Sequence, residues 1–271
     1  MLRKLCMLSS LFIAAAVTPL AQQSRHFTFH YAFTVKNLPA NKKVRIWFPE
    51  AQSDAWQDVK IVSVKSDLRL KRTREAKYGN EIYYAETSSP KNELHFDIEY
   101  DVVRRERVAL GENSPQLVRA SLSSKQRQEF LQPDALVPVT GLPAELAGKV
   151  TQGKTRPLEK ARAIYDYVFT TLRYDKTGTG WGRGDVLYAC DAKKGNCTDF
   201  HSLFIAMARS QGIPARFEIG FPLPADRHSA EIAGYIAGLI FTSTARGGFR
   251  WIFPKRGSIR KNVTIFLARM M

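Results

Sequence analysis

Cys197 stands in the run Lys194-Gly195-Asn196-Cys197-Thr198-Asp199-Phe200-His201, where a helix-like pattern begins. Asn196 suits the N-cap, and Asp199 occupies the N3 position of a shortened capping box. A cysteine in the first turn of a helix has its thiolate favoured by the positive end of the macrodipole. The thiolate is the attacking species in covalent catalysis, so Cys197 is the candidate nucleophile. A cysteine of this kind works with an imidazole base and a group that orients the base. No histidine follows His228, and no acid follows Glu231.

The remaining chemistry-bearing residues give it little help. His201 lies one turn along the same helix, where a packing or capping role is expected. His228 falls in the polar loop 225–229 and reads as a solvated residue at the rim of a cleft. His26, His30 and His95 belong to a strand-rich segment. Asp185 and Asp191 lie just upstream of the nucleophile and read as loop hydrogen-bonding residues. No cluster of Cys, His and acids has metal-ligand spacing, so neither a metal nor another cofactor is expected. Cys190 is the one other cysteine beyond the leader. In an exported protein a disulfide between Cys190 and Cys197 is the alternative, and it would silence the nucleophile.

The elements that position Cys197 follow from periodicity. Phe27, Phe29, Tyr31 and Phe33 alternate with Thr28, His30, Ala32 and Thr34, the pattern of a half-buried strand. Further strands read at 44–48, 59–64, 82–84 and 94–100, with turn signals at Gly79-Asn80 and Ser89-Pro90. Short strands at this spacing predict a β-sandwich. A Pro- and Gly-bearing connector spans 111–153, with one helical stretch near 125–131. A helix is predicted from Pro157 to Leu172, capped by Thr155, with Leu158, Ala161, Ile164, Tyr165, Val168 and Leu172 as its buried stripe. The Gly-rich loop 177–184 carries Trp181. The nucleophile helix has Phe200, Leu203, Phe204 and Met207 on its apolar face and ends at Gly212 and Pro214. A strand with Phe217, Ile219 and Phe221 follows, stopped by Pro222.

The chain has 271 residues and a formal net charge of +16. Arg3 and Lys4 precede an apolar run, Leu5 to Val17, with Ala21 at the cleavage position. This reads as a secretory signal peptide that takes Cys6 with it. The alternative, an N-terminal anchor helix, is countered by Pro19, which interrupts the run before it reaches spanning length. No stable membrane insertion is expected after the signal is removed. Export and the spread of Lys and Arg along the chain exclude nucleic acid as the expected partner. A basic surface facing an anionic cell envelope is expected instead, in a secreted or periplasmic protein.

The run Gly195-Asn196-Cys197-Thr198-Asp199-Phe200, then Leu203-Phe204, Arg209, Gly212-Ile213-Pro214-Ala215-Arg216 and Gly234-Tyr235, resembles the transglutaminase-like superfamily, its bacterial secreted branch above all. The resemblance covers 158–235. It implies a papain-like core, with a Cys-bearing helix packed on an antiparallel sheet that carries His and Asp. It also implies acyl transfer or amide and isopeptide hydrolysis through a thioester, on a protein or peptide substrate, with Cys197 as nucleophile. It offers two readings of Trp181, near the oxyanion or as a packed loop aromatic.

In that family the His follows the Gly-Tyr pair in a His-Cys-Trp strand, and the Asp follows Trp-x-Pro-Val. Here Tyr235 is followed by Ile-Ala-Gly-Leu-Ile-Phe-Thr. These residues can be encoded ATT-GCT-GGG-CTG-ATT-TTT-ACN. With one C in front, the same bases read CAT-TGC-TGG-GCT-GAT-TTT-TAC, or His-Cys-Trp-Ala-Asp-Phe-Tyr. In the same frame, Gly247 to Ile252 can spell Trp, Ile or Val, Pro, Val, Asp. The last Asp is forced, because TGG of Trp251 followed by AT of Ile252 contains GAT. The expectation is a one-base deletion after Tyr235, with everything from Ile236 read out of frame; the alternative is a divergent tail.

The resulting reading is an α+β chain. A signal peptide (1–21) precedes a β-sandwich (22–110), a connector (111–153), a transglutaminase-like core (154–235) and an aberrant tail (236–271). The catalytic sheet is expected to be incomplete and the tail poorly packed. Activity is expected to be lost or strongly impaired. The other function class is a non-catalytic peptide- or glycan-binding module of the cell envelope.

Overall fold

The computed structural model describes residues 24–88, 91–106, 122–224, 229–232, 234–244, 247–251 and 263–270. The segment read as a signal peptide, Cys6 within it, and His228 lie outside these residues.

Six strands build the N-terminal unit: β1 (Ser24–Val35), β2 (Val44–Pro49), β3 (Gln57–Ser66), β4 (Lys71–Arg74), β5 (Glu81–Thr87) and β6 (Leu94–Arg105). They form two three-stranded sheets, ordered β1-β6-β3 and β2-β5-β4, with every pairing antiparallel. Alternation explains the layering. On β6, Phe96, Ile98, Tyr100 and Val102 are fully buried, while the residues between them point outward. The facing sheet contributes Phe48, Tyr83 and Ala85. Phe33 stacks on Phe96 at 4.9 Å, and Phe48 meets Phe96 at 5.4 Å. The sandwich reading therefore holds. β4 has no counterpart in the sequence reading, because Lys-Arg-Thr-Arg has no apolar alternation. Charged residues are what an edge strand carries to discourage pairing with other chains.

The C-terminal unit contains α1 (Ser124–Glu129), α2 (Leu142–Val150), α3 (Pro157–Thr171), β7 (Arg173–Tyr174), α4 (Val186–Ala192), β8 (Lys194–Gly195) and α5 (Cys197–Ser210). The strands β9 (Ala215–Leu223), β10 (Ile236–Thr244), β11 (Gly247–Trp251) and β12 (Val263–Met270) follow, in the sheet order β11-β10-β9-β12. α5 is the central element. Every residue from Asp199 to Arg209 is buried, and the helix is covered by α2, α3, α4, β9 and β10. A helix enclosed all round needs apolar or internally satisfied side chains on every face.

Four local expectations need correction. α2 lies in the stretch read as connector, yet Ala147 is fully buried in the core around α5, so this stretch belongs partly to the C-terminal unit. Its Gly141-Leu142-Pro143 start reads as a turn, which hid the helix. The N-cap of α3 is Arg156, not Thr155; its side chain makes no capping bond and pairs instead with Glu159 (2.7 Å), while Pro157 takes the first helical position as expected. β9 continues past Pro222 to Leu223, with Pro222 opposite Thr264 of β12. The tail also pairs: β10 lies antiparallel to β9 from Ile236↔Gly220 to Phe241↔Ala215, and β11 and β12 join the same sheet. Backbone ladders depend little on side-chain identity. The apolar and β-branched run Ile236 to Thr242 is a competent strand sequence in either frame.

β9 joins the two cores. Ala215, Phe217 and Ile219 pack with α5, while Phe221 and Leu223 enter the sandwich core. Phe221 sits 5.4 Å from Phe29 and 5.8 Å from Tyr31. A polar latch lies near the end of α5. Buried Arg209 donates to Asp134 Oδ2 (2.7 Å) and to the carbonyls of Gln132 (2.6 Å) and Ala215 (3.0 Å). Asp134 also accepts from Lys77 (2.5 Å) and Tyr78 (3.0 Å), two residues of the sandwich. Burial alone would raise the Asp134 carboxyl; the hydrogen bonds from Lys77 and Arg209 outweigh it and hold the group low.

Candidate active site

Cys197 is the first residue of α5, and its thiol is free and partly exposed. The capping box is fully formed. Asn196 accepts from the Thr198 N–H (2.8 Å), and Asp199 accepts from the Asn196 N–H (2.8 Å). Asp199 does more than cap. Fully buried, it also accepts from the Gly182 N–H (2.7 Å) and the Gly184 N–H (3.1 Å). One carboxyl group therefore holds the Gly-rich loop against the start of the helix that Cys197 heads. Gly195 is required for this approach: a Cβ there would lie 2.3 Å from Asp199 Oδ2. Gly182 has φ +82°, a conformation L side chains rarely adopt.

Two short strands place an aromatic beside the cysteine. β7 and β8 pair in parallel, with Tyr174 opposite Gly195, and the Asp175 N–H donates to the Gly195 carbonyl (3.0 Å). The Tyr174 ring sits 6.2 Å from Phe200, which is one turn beyond Cys197 on α5. Burial raises the Tyr174 phenol, and the nearby Cys197 and Tyr235 add to the effect. Tyr174 is therefore a protonated donor at neutral pH. Sequence reasoning missed it, because a two-residue strand leaves no periodic signal. Asp175 opens the Gly-rich loop, its carboxyl pushed down to about 2 by hydrogen bonds from the Thr177 side chain and backbone. Lys176 Nζ lies 5.9 Å from the ring centres of both Tyr174 and Trp181. The Trp181 indole N–H donates to the Gly178 carbonyl (3.0 Å), which favours the loop-aromatic reading.

The other candidates are placed elsewhere. Cys190 is free on α4, with its thiol pushed up by burial, so the two cysteines do not form a disulfide here. Asp185 is the N-cap of α4, accepting from the N–H groups of Leu187 (3.0 Å) and Tyr188 (3.2 Å). Asp191 is exposed. His26, His30 and His95 face outward on the sandwich, where they pair with Asp101, Asp97 and Asp67. Among the described residues no group of three or more His, Cys, Asp or Glu could hold a metal ion.

His201 is fully enclosed. Its Nδ1 donates to the Cys197 carbonyl, and its ring meets Phe217 edge-on at 6.0 Å and 90°. Burial lowers its imidazole to about 4, so it is neutral at physiological pH and packed within the core. The sign of the stability effect follows. The unfolded chain takes up this proton near pH 6.5, and the folded chain only near 4, so stability is lost as pH falls through that window. About 2 kcal/mol is expected to disappear between pH 7.5 and pH 5, and H201Q should lack that component. Urea melts of both proteins test this; identical pH dependence would refute it. Should H201Q fail to fold, the wild-type imidazole proton resonance should titrate below pH 5.

The family model of the Transglutaminase-like superfamily matches residues 144–252. An uncharacterised protein of Haemophilus influenzae is 29% identical over 192 residues, covering 68% of this chain and 51% of that protein. The uncharacterised protein YebA of Bacillus subtilis is 24% identical over 233 residues, covering 74% of this chain and 31% of its own length. The chain thus spans about half, or less, of these curated relatives. The crystal structure of a candidate cysteine protease from Cytophaga hutchinsonii superposes with a TM-score of 0.59 at 16% identity, covering 91% of this chain and 82% of the other. That likeness extends over both units of the fold. With a free cysteine heading its central helix, the segment 144–252 is a transglutaminase-like domain.

Proposed function

We propose that Cys197 is the nucleophile of an exported, envelope-facing protein whose parent chemistry is acyl transfer or amide hydrolysis on a protein or peptide substrate, with no cofactor. The thiolate adds to a carbonyl carbon, the C–N bond breaks, and the acyl group remains on sulfur as a thioester. An amine or water then takes up the acyl group. The proton of the thiol must be accepted and returned to the leaving amine, and among the described residues no imidazole stands at the site for that step. We further infer that residues from Ile236 are translated out of frame and that this removes both the base and its orienting acid. The activity of the chain is therefore strongly impaired.

One observation carries the reading: a partly exposed, free cysteine at the first position of a capped, otherwise buried helix. The experiment is iodoacetamide alkylation of the folded protein, followed at each cysteine by mass spectrometry. Cys197 is expected to react at least about tenfold faster than Cys190, because Cys197 heads a helix whereas desolvation pushes the Cys190 thiol up. Equal rates, or a faster Cys190, would count against the assignment. They would support the second reading, a non-catalytic module, which the lack of any histidine after His228 favours.

A further inference from the structure

The outer face of the β2-β5-β4 sheet carries an aromatic plate that the cysteine chemistry does not use. Register places Trp47 of β2 opposite Tyr84 of β5, and Tyr84 opposite Lys71 of β4. Directly opposed residues share one face of a sheet, so these three side chains form a row across all three strands. At ordinary strand spacing the row is about 10 Å long. The face is the solvent one: the neighbours Phe48, Tyr83 and Ala85 point inward and are buried, whereas Trp47 is 60% exposed. The Trp47 and Tyr84 rings lie side by side, 5.2 Å between centres and tilted by 39°. That spacing makes a plate and leaves no slot between the rings. Around it stand, among the described residues, three cations, Lys43, Arg45 and Lys71, and a single carboxyl, Glu86, which is shared by Lys43 (3.0 Å), Arg45 (3.7 Å) and the Tyr84 hydroxyl.

We propose that this plate binds an anionic glycan: one sugar ring stacks its C–H face on Trp47 and Tyr84, and a carboxylate of the same polymer meets Lys71. Ring length and charge both fit. Two sugar units span about the length of the row, and the excess of cations complements a uronic or similar acidic sugar. A protein partner fits less well, because a stable interface needs about 800 Å² on each side and the apolar part of this face is two rings with Pro49 and Ile82 along one flank and charge on the other. Single-stranded nucleic acid would also stack on aromatics beside cations. The export proposed from the Arg3-Lys4 start and the apolar run Leu5 to Val17 favours a glycan polyanion over a nucleic acid. The site is independent of Cys197 and stands whether or not the cysteine is reactive.

The test is binding of the full chain to immobilised polygalacturonate, dextran, poly-L-glutamate and oligo(dT) in matched buffer. Wild type should hold polygalacturonate at least tenfold more tightly than any of the other three. W47A should lose tenfold or more, W47F should retain most of the binding, and K71E should lose at least tenfold. K149E, the same charge change at an exposed site on α2, should lose less than threefold. Trp47 is a surface residue, so W47A is expected to keep the wild-type melting temperature. Unchanged binding by W47A overturns the proposal. So does dextran binding as tight as polygalacturonate. Equal, Trp47-dependent binding of polyglutamate or oligo(dT) would also overturn it, by assigning the plate to an acidic protein or to a nucleic acid.

Discussion

Inserting one C after the Tyr235 codon is expected to raise acyl-transfer or hydrolysis rates by about a thousandfold or more, the scale on which loss of one triad member is usually felt. The geometry of the sheet is what makes the prediction strong. The restored frame puts a histidine at position 236, the first residue of β10, which pairs with β9 and packs across α5. It puts an aspartate at position 252, immediately after β11. The pairing Leu239↔Trp251, extended by one residue in the restored chain, sets position 252 across from position 238. Position 236 is two residues from 238 and therefore on the same face, a diagonal neighbour of the acid. Histidine and aspartate would thus be brought together beside the helix that begins with Cys197. The measurement is incorporation of a fluorescent amine into casein, together with casein hydrolysis, for the present chain, the restored chain and the restored chain with C197A. Restored activity that survives C197A would refute the nucleophile. A restored chain no faster than the present one would refute the frame hypothesis, as would a gene whose codons for Ile236 to Thr242 cannot spell the alternative strand.

The features legible in the sequence are those written in local chemistry or strong periodicity. Asn196, Cys197 and Asp199 announced the helix start because capping needs those residue types at that spacing. The alternating aromatics of β1 announced the sandwich because one face of a strand must be buried. What escaped is set by tertiary packing. β4 is four polar residues held by its neighbour β5, and β7 and β8 are two residues each. Tyr174 belongs to the site only because that two-residue ladder brings it alongside Gly195. Pro222 reads as a strand stop, yet the demand for Phe221 and Leu223 in the sandwich core carries β9 through it. The second role of Asp199 was invisible for the same reason: its capping partner is local, but the Gly182 and Gly184 amides it accepts from lie 17 and 15 residues upstream.

That second role yields a large expected effect. D199A should destabilise the protein by about 3 kcal/mol. Loss of the acceptor for the part-buried Gly182 amide costs about 1 kcal/mol. The Gly184 and Asn196 amides would be left in buried surroundings without an acceptor, at about 1 kcal/mol or more each. A loss of this size corresponds to a fall of roughly 6–12 °C in melting temperature for a chain of this length. A mere stability residue would do no more than that, but Asp199 also anchors the loop. Released from its carboxyl, the segment 177–184 should open locally at a free energy well below global unfolding. Arg183 in that segment is exposed, so trypsin should cut there in D199A under conditions that leave the wild-type loop intact. Mass spectrometry of the fragments identifies the site of cutting. If D199A melts within 2 °C of wild type, or loses stability without cleavage at Arg183, the carboxyl group does not brace the loop, and the rigidity of the wall beside Cys197 must come from Tyr174 and the β7–β8 ladder instead.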